Sequence, residues 1–287
     1  MKNQYSIVGL IILLIAATFS ISSAQLKGET FASAKASKSA NITYTFAKTP
    51  GFIYETGTNQ YAGICVDIMK KFEQFVKSKY GITVKANYKL VSGDTFAGML
   101  SAVKSANGGV FGLGNITITD SRKKMYNFSP PFINNISLLM TQKTIPSLSK
   151  MEDMKAVFAG MTAYTIKGST NEIELLKWKK AYFPTMKLAY VGSFSDAVNK
   201  VASDSKAFTN VDFTYYLDAL NDKKPVKRHA AGMSASEEFG ILMPKSNDWS
   251  PILAEFMNSG FLESAEYKAV IRKHLGESAI KLLESVK

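Results

Sequence analysis

The chain has 287 residues, of which 46% are hydrophobic and 20% charged, which is enough apolar material for a well-buried core and more than one lobe. The formal net charge is +12 at pH 7, but the lysines are scattered along helical segments without an arginine-rich run, so a basic solvated face is expected and nucleic-acid binding is not. A single cysteine, Cys65, and two distant histidines exclude internal disulfides and a zinc cluster. No phosphate-binding glycine loop is present, and no cofactor is expected.

The first 24 residues have the pattern of a secretory signal peptide. Lys2 provides a positive start, residues 7–17 are almost wholly apolar, and Ser22 and Ala24 stand at cleavage-type positions. The apolar run is short for a membrane span, which favours cleavage after Ala24 over retention as an anchor. The pattern therefore predicts an exported, periplasmic protein.

Residues 25–40 are rich in alanine, serine and lysine and show no apolar period, which predicts a flexible leader. After it, strand-like runs alternate with amphipathic helices, so we expect an α/β fold. The clearest helix spans 64–80, with Ile64, Ile68 and Phe72 on one face, and ends at Gly81. The pattern also predicts strands at 41–47, 83–91 and 110–113, and a helix capped by Asp94 and ended by Gly108 and Gly109.

A second set of elements begins after Gln142. It starts with a strand within 157–166, and Ser169 and Glu172 then form a predicted capping box for a helix that ends at Pro184. The remaining predictions are strands at 188–191, 207–211 and 239–243, and helices at 195–201, 252–258 and 265–275. The strand at 207–211 leads directly into Asp212.

The stretch 114–132 carries the most specific pattern. An apolar strand opens into a hydroxyl-rich turn, and Thr119 can cap the helical turn that carries Arg122. The Thr117 hydroxyl, the backbone N–H groups of the turn and the Arg122 guanidinium can then converge on one anion, and a guanidinium suits a carboxylate because it donates two parallel hydrogen bonds. Spacing alone leaves this interpretation level with the alternative that Arg122 is a surface arginine near a helix start.

These residues resemble the "ITxxR…FSxPY" signature of the bacterial extracellular solute-binding proteins of family 3, which serve amino-acid ABC transporters. The binding core of that family is related to the core of ionotropic glutamate receptors. Further stretches resemble the family in the same order, namely 63–67, 167–170, 210–212, 239–245 and 267–276. One such stretch is weak, whereas the ordered set spans nearly all of the chain from residue 42 to residue 276.

The resemblance implies a two-lobed, type II periplasmic-binding-protein fold (a Venus flytrap) with hinge strands near 139–142 and 239–243. The first lobe is expected from 41–141 plus 240–287 and the second from 142–239. The implied function is capture of a polar α-amino acid by hinge closure and its delivery to the membrane permease of an ABC transporter, by a monomer without enzymatic activity. The positive net charge favours acidic or neutral amino acids only slightly, because a surface field does not define a pocket.

The resemblance also implies the ligand contacts. Arg122, helped by Thr117, would grip the α-carboxylate, and Asp212 from the other lobe would accept the α-ammonium group. Asn115 would supply another polar contact, and Ser169 and Thr170 would act from a helix N-terminus of the second lobe. Capping remains an alternative role for both Asp212 and Ser169.

The sequence departs from the family where the family places an aromatic or acidic contact. The candidates for stacking over the ligand are Phe46, Phe52 and Tyr54, and a core role is at least as strongly favoured for each of them. Of the three, Phe52 is the predicted ligand contact. Phe96 is a candidate replacement for the family's pocket aromatic. Two rival functions remain, a dehydratase on the same scaffold, which would need a cleft acid, and a ligand-sensing module.

Overall fold

The computed structural model describes residues 25–284, so the predicted signal peptide lies outside the described residues. The strands are β1 (Lys27–Gly28), β2 (Ser39–Phe46), β3 (Tyr54–Gly57), β4 (Gln60–Ala62), β5 (Thr83–Leu90), β6 (Asn107–Gly108), β7 (Val110–Leu113), β8 (Tyr126–Phe128), β9 (Ile133–Gln142), β10 (Thr162–Thr165), β11 (Lys187–Tyr190), β12 (Ala207–Asp212), β13 (Val226–Arg228), β14 (Ser234–Phe239) and β15 (Leu242–Pro244). The helices are α1 (Phe31–Ser37), α2 (Ile64–Tyr80), α3 (Phe96–Ser105), α4 (Asp120–Met125), α5 (Met154–Val157), α6 (Thr170–Ala181), α7 (Phe194–Ser203), α8 (Phe213–Asn221), α9 (Ser250–Phe256) and α10 (Ala265–Glu284).

One sheet organises the first lobe, in the order β5-β2-β7-β15-β8. β2 runs parallel to both β5 and β7, whereas β15 runs antiparallel to β7 and β8. Helix α2 has the predicted bounds and buries Ile64, Ile68 and Phe72 against this sheet's core, and Gly81 ends it in the left-handed conformation at φ 69°. The lobe core also contains Trp249, which returns from the C-terminal part of the chain.

A second sheet organises the second lobe, in the order β11-β10-β12-β9-β13, with β14 also paired to β9. β10 is parallel to β11 and β12, whereas β9 is antiparallel to β12, β13 and β14. The carboxyl end of β12 therefore presents Asp212 beside the middle of β9, where Asp212 is in register with Ser137. This register brings the predicted ammonium acceptor to the side of the sheet that faces the first lobe.

The chain passes twice between the two sheets, which confirms the predicted two-lobed α/β fold. The first passage lies between Phe128 and Ile133, earlier than predicted, because β9 belongs wholly to the second sheet as far as Gln142. The predicted strand at 239–243 is interrupted at Gly240 and Ile241, where the chain leaves β14 and enters β15. The hinge connections are therefore two short non-strand segments.

The prediction of a flexible leader at 25–40 is wrong. β1 pairs in parallel with β6, and the Asp248 carboxylate accepts hydrogen bonds from the N–H groups of Phe31 and Ala32 at the start of α1. Ala34 and Ala40 are fully buried, because an alanine-rich segment can approach a neighbouring surface closely. The first lobe therefore includes residues that precede the predicted start at residue 41.

None of the helices within residues 25–284 is both long enough and apolar enough to cross a membrane. The longest of them, α10, bends at Gly276, whose φ of 78° lies outside the helical region. Beyond this bend the chain continues to residue 284 and packs Ala279 into the first-lobe core.

Candidate functional site

Arg122 lies at the floor of the cleft on the first lobe. The Thr119 hydroxyl accepts a hydrogen bond from the Arg122 N–H at 3.2 Å, as the predicted N-cap requires. The guanidinium donates from Nη1 to the Thr117 carbonyl at 2.9 Å and from Nη2 to the Gly168 carbonyl of the second lobe at 3.4 Å. It also lies over the Phe96 ring, 5.1 Å from its centroid. These contacts hold a positive group at the cleft with only 6% of the residue exposed, so the surface-arginine alternative is wrong.

Arg122 has no carboxylate within 4.0 Å among the described residues. Burial lowers the pKa of Arg122, while the negative charges of Glu237 and Asp212 oppose that shift. A guanidinium has five N–H donors, and only two of its hydrogen bonds, both to carbonyl groups, are formed in the part of the chain that the structure describes. The remaining donors suit an incoming anion.

Asp212 faces the cleft from the end of β12. It stands at the N-cap position of α8, but its side chain makes no capping hydrogen bond. Its carboxylate instead accepts hydrogen bonds from the amides of three asparagines: Asn115 of the first lobe, Asn135 of β9 at 2.8 Å, and Asn171 of α6 at 3.3 Å. Burial and the neighbouring Glu237 raise the pKa of Asp212 to about 6, although the three amide donors pull it down. The structure thus favours the cleft role of Asp212 over capping.

The two lobes touch directly across the cleft. The Asn115 amide donates to Asp212, the hydroxyls of Thr117 and Thr170 lie 3.4 Å apart, and Arg122 reaches the second lobe at Gly168. The cavity between these groups has a volume of ≈ 30 Å³, about the volume of one water molecule in the liquid. The structure is therefore a closed conformation.

Six of the seven predicted ligand-binding residues line this cavity. They are Asn115, Thr117, Arg122, Ser169, Thr170 and Asp212. Whether each of them contacts a ligand stays a prediction, but the fold brings together residues that are up to 97 positions apart in sequence.

Phe52 is the exception, and its prediction as a ligand contact is wrong. It is fully buried in the first-lobe core, where its ring contacts Phe132 and Phe239 at centroid distances of 6.1 and 5.5 Å. The segment that carries it forms a turn, in which the N–H of Phe52 donates to the Thr49 carbonyl. The aromatic residues on the cleft lining are Phe96, Phe194 and Tyr215, and of these Phe96 stacks on Arg122.

Ser169 is the N-cap of α6, because its hydroxyl accepts from the Glu172 N–H at 3.0 Å. The reciprocal half of the predicted capping box is absent, since the Glu172 carboxylate accepts from the N–H of Gly168 and not from that of Ser169. The Ser169 hydroxyl also donates to the Ile166 carbonyl at 2.7 Å. Its side chain is therefore already engaged, which leaves Thr170 the freer hydroxyl at this helix terminus.

Sequence reasoning missed Asn135 and Asn171, which complete the amide ring around Asp212. Both are buried polar residues, exposed by 0% and 3% respectively, and buried polar side chains usually serve a specific hydrogen bond. The signal for Asn135 was an amide side chain close to the apolar residues Ile136, Leu138 and Leu139 of the same strand. No comparable signal marked Lys48 and Asp94, which form an ion pair of 3.4 Å on the cleft lining.

Comparison with known proteins agrees with this geometry. Residues 38–144 match the family model of the ligated ion channel L-glutamate- and glycine-binding site. A comparison of the sequence with curated proteins finds no match.

Solved structures share the fold at low sequence identity. An ancestral arginine-binding protein bound to glutamine is 21% identical, with a TM-score of 0.66, and the alignment covers 83% of this chain and 98% of that protein. The GluR0 ligand-binding core from Nostoc punctiforme in complex with L-glutamate is 17% identical, with a TM-score of 0.63 and coverage of 82% and 99%. An ABC uptake transporter substrate-binding protein from Streptococcus pneumoniae with bound histidine is 19% identical, with a TM-score of 0.66 and coverage of 86% and 96%.

The chain has the type II, two-lobed periplasmic-binding-protein fold. The family model that matches residues 38–144 and the fold shared with amino-acid-binding proteins confirm the predicted resemblance to solute-binding family 3.

Proposed function

We propose that this chain is an extracytoplasmic solute-binding protein that captures a polar α-amino acid by hinge closure and delivers it to the permease of an ABC transporter. One observation carries the proposal. A buried guanidinium without a carboxylate partner, Arg122, and a buried carboxylate without a cationic partner, Asp212, face one cleft from opposite lobes within the described residues.

The α-carboxylate and α-ammonium groups of an amino acid complement this pair. Buried charges are stable only when they are paired and hydrogen-bonded. The ligand carboxylate would accept from the free N–H groups of Arg122 and from Thr117, while its ammonium group would donate to Asp212. Each end of the ligand would thus supply the partner that the cleft residue lacks.

Binding in this cleft requires hinge motion. The closed cavity of ≈ 30 Å³ is smaller than an amino acid, so the lobes must separate before the ligand enters. On closure, the ligand would take over the direct contacts that now join Asn115 to Asp212 and Thr117 to Thr170. Such closure around a ligand is an established mode of periplasmic binding proteins.

The structural neighbours support the transport role. One of them is an ABC uptake transporter substrate-binding protein with bound histidine, and others are named for arginine binding. An exported, monomeric carrier would present its closed form to the permease.

Calorimetric titration of an Arg122→Ala variant tests the proposal. A thermal-shift screen of the twenty amino acids first identifies the ligand of the unmodified protein, since a ligand that binds only the folded state raises its stability. Truncating one partner of a buried charge pair costs about 3–5 kcal/mol, which weakens the affinity by at least about a hundredfold.

Lys124→Ala is the matched control, because Lys124 lies on the same helix but is exposed. It should bind the ligand with unchanged affinity. Unchanged affinity in Arg122→Ala, or the failure of every amino acid to stabilise the unmodified protein, would contradict the proposed function.

A further inference from the structure

A second cavity, which we call the side chamber, adjoins the cleft. It has a volume of ≈ 230 Å³, several times that of the closed cleft. Thr170 and Asn171 line both cavities, so α6 forms the wall between them. Apart from Ile173, the rest of the side chamber is polar or charged and includes Thr119, Ser137, Glu174, Asn210, Ser234 and Glu237.

Charged side chains line both cavities. Among them, Glu237 is the one that would still lack a counter-charge after an amino acid has bound through its α-carboxylate and α-ammonium groups. Lys48 pairs with Asp94 at 3.4 Å, and Lys177 pairs with Glu174 at 3.1 Å. Glu237 has no cation within 4.0 Å in the described part of the chain.

Arg122 and Asp212 would be balanced by the ligand itself. The α-carboxylate of the ligand would pair with Arg122, and its α-ammonium group would pair with Asp212. After the α-groups are bound, one negative charge remains, on Glu237. A buried or half-buried charge without a counter-charge is unfavourable, so a ligand that brings one more positive charge is favoured.

The geometry places Glu237 within reach of a ligand held at Asp212. The Asn135 amide nitrogen donates to Asp212 at 2.8 Å and to Glu237 at 2.7 Å. The Asp212 oxygen and the Glu237 oxygen that accept these hydrogen bonds can therefore be no further apart than the sum of the two donor–acceptor distances. An amino acid whose ammonium group contacts Asp212 has its own side chain close enough to reach Glu237.

A second, independent feature indicates a polar occupant of the side chamber. Asn210 lines it and is fully buried, and the Asn210 amide nitrogen has no hydrogen-bond partner. An unsatisfied buried polar atom is unfavourable, and a polar group that enters the chamber would supply the missing hydrogen bond.

We propose that the ligand is an α-amino acid with a cationic side chain, whose amine or guanidine group enters the side chamber and pairs with Glu237. This inference rests on the proposed function and narrows its ligand class. The chamber hydroxyls of Thr119, Ser137 and Ser234 supply acceptors for the additional N–H groups of such a cation. The positive surface charge of the protein does not oppose this assignment, because local pairing decides the affinity of a closed site.

The test compares arginine with citrulline, its neutral isostere, by calorimetric titration at neutral pH. The unmodified protein should bind arginine at least about tenfold more tightly, a modest value for one charge-assisted pair. Glu237→Gln should reduce this ratio to near unity by weakening arginine binding alone.

Glu238→Gln is the matched control, because the side chains of successive strand residues point to opposite faces and Glu238 is exposed. It should keep the preference of the unmodified protein for arginine. Equal affinity of the unmodified protein for arginine and citrulline would overturn the inference, and this comparison needs no variant to fold. An equal loss for both ligands in Glu237→Gln would also overturn it, because Glu237 would then act only through Asp212.

The outcome separates this inference from the proposed function. If only amino acids without a cationic side chain bind and Arg122→Ala abolishes that binding, the α-group clamp stands and the cationic ligand class fails. If no amino acid binds at all, both fail.

Discussion

Replacing Asp212 with asparagine should stabilise the ligand-free protein while abolishing amino-acid binding. Burial and the charge of Glu237 raise the pKa of Asp212 from 3.8 to about 6. Keeping this carboxylate ionised in the folded protein at pH 7 therefore costs about 3 kcal/mol relative to the unfolded chain. Asparagine removes that cost.

Part of the gain is offset by a lost hydrogen bond. Two asparagine amides donate to Oδ1 of Asp212, and the Asn115 amide donates to Oδ2. In Asp212→Asn one of these oxygens becomes an NH₂ group, so one donor loses its acceptor at a cost of about 1–2 kcal/mol. The net expectation is a rise of about 1–2 kcal/mol in the free energy of unfolding.

The pH dependence identifies the cause. Because the pKa of Asp212 is raised by folding, the stabilisation from its bound proton is complete below about pH 3.8 and is lost as the pH rises through about 6. The advantage of Asp212→Asn should therefore be present at pH 7 and shrink by pH 4. Urea unfolding at both pH values measures the stability, and calorimetry at pH 7 measures the loss of binding. A variant that is less stable than the unmodified protein at pH 7, or that still binds the ligand with full affinity, would refute this reasoning.

Two further predictions concern stability. Phe31→Ala should lower the free energy of unfolding by about 2 kcal/mol, because the Phe31 ring packs edge-on against Tyr80 and Trp249 at centroid distances of 5.2 and 5.1 Å. Ligand affinity should be unchanged in this variant. Unaltered stability on urea unfolding would show that the segment around Phe31 does not support the lobe. Burial lowers the pKa of His229 from 6.5 to about 4, and its Nδ1 accepts from the Leu148 N–H. The stability that comes from keeping His229 neutral is thus complete above pH 6.5 and is lost as the pH falls towards 4. The free energy of unfolding of His229→Asn, measured with urea, should lack this loss between pH 6.5 and pH 4. An identical pH profile in the variant and the unmodified protein would contradict the role of His229.

The sequence predicted elements best where one local pattern determines them. Helix α2 combines an apolar face with a terminal glycine, and the structure has it at the predicted residues. The N-cap roles of Thr119 and Ser169 are likewise confirmed, because a hydroxyl before a helix has few alternative partners.

Long-range packing explains the elements that were predicted wrongly. The alanine-rich segment around Ala34 has no apolar period of its own, and its order comes from long-range contacts with β6 and with the Trp249 region. The sequence could not separate Phe52 from Phe96, since no local pattern distinguishes an aromatic residue that enters the core from one that faces the cleft. The fold decides that Phe52 enters the core and that Phe96 covers Arg122.

The cleft was predicted in the residues that the family motifs carry, namely Asn115, Thr117, Arg122, Ser169, Thr170 and Asp212. Asn135 and Glu237 were missed because their positions depend on strand register, and Asn171 was missed because its position depends on how α6 packs. Glu237 is opposite Asn135 across β14 and β9, and no local feature of the sequence shows that pairing. The side chamber is therefore a property of the fold.

The most direct measurement is a crystal structure of the complex with the amino acid that gives the largest thermal shift. It should show the ligand α-carboxylate within hydrogen-bonding distance of the Arg122 guanidinium and the α-ammonium group on the Asp212 carboxylate, with both lobes in contact with the ligand. A ligand bound to one lobe alone, or bound away from Arg122 and Asp212, would contradict the proposed clamp.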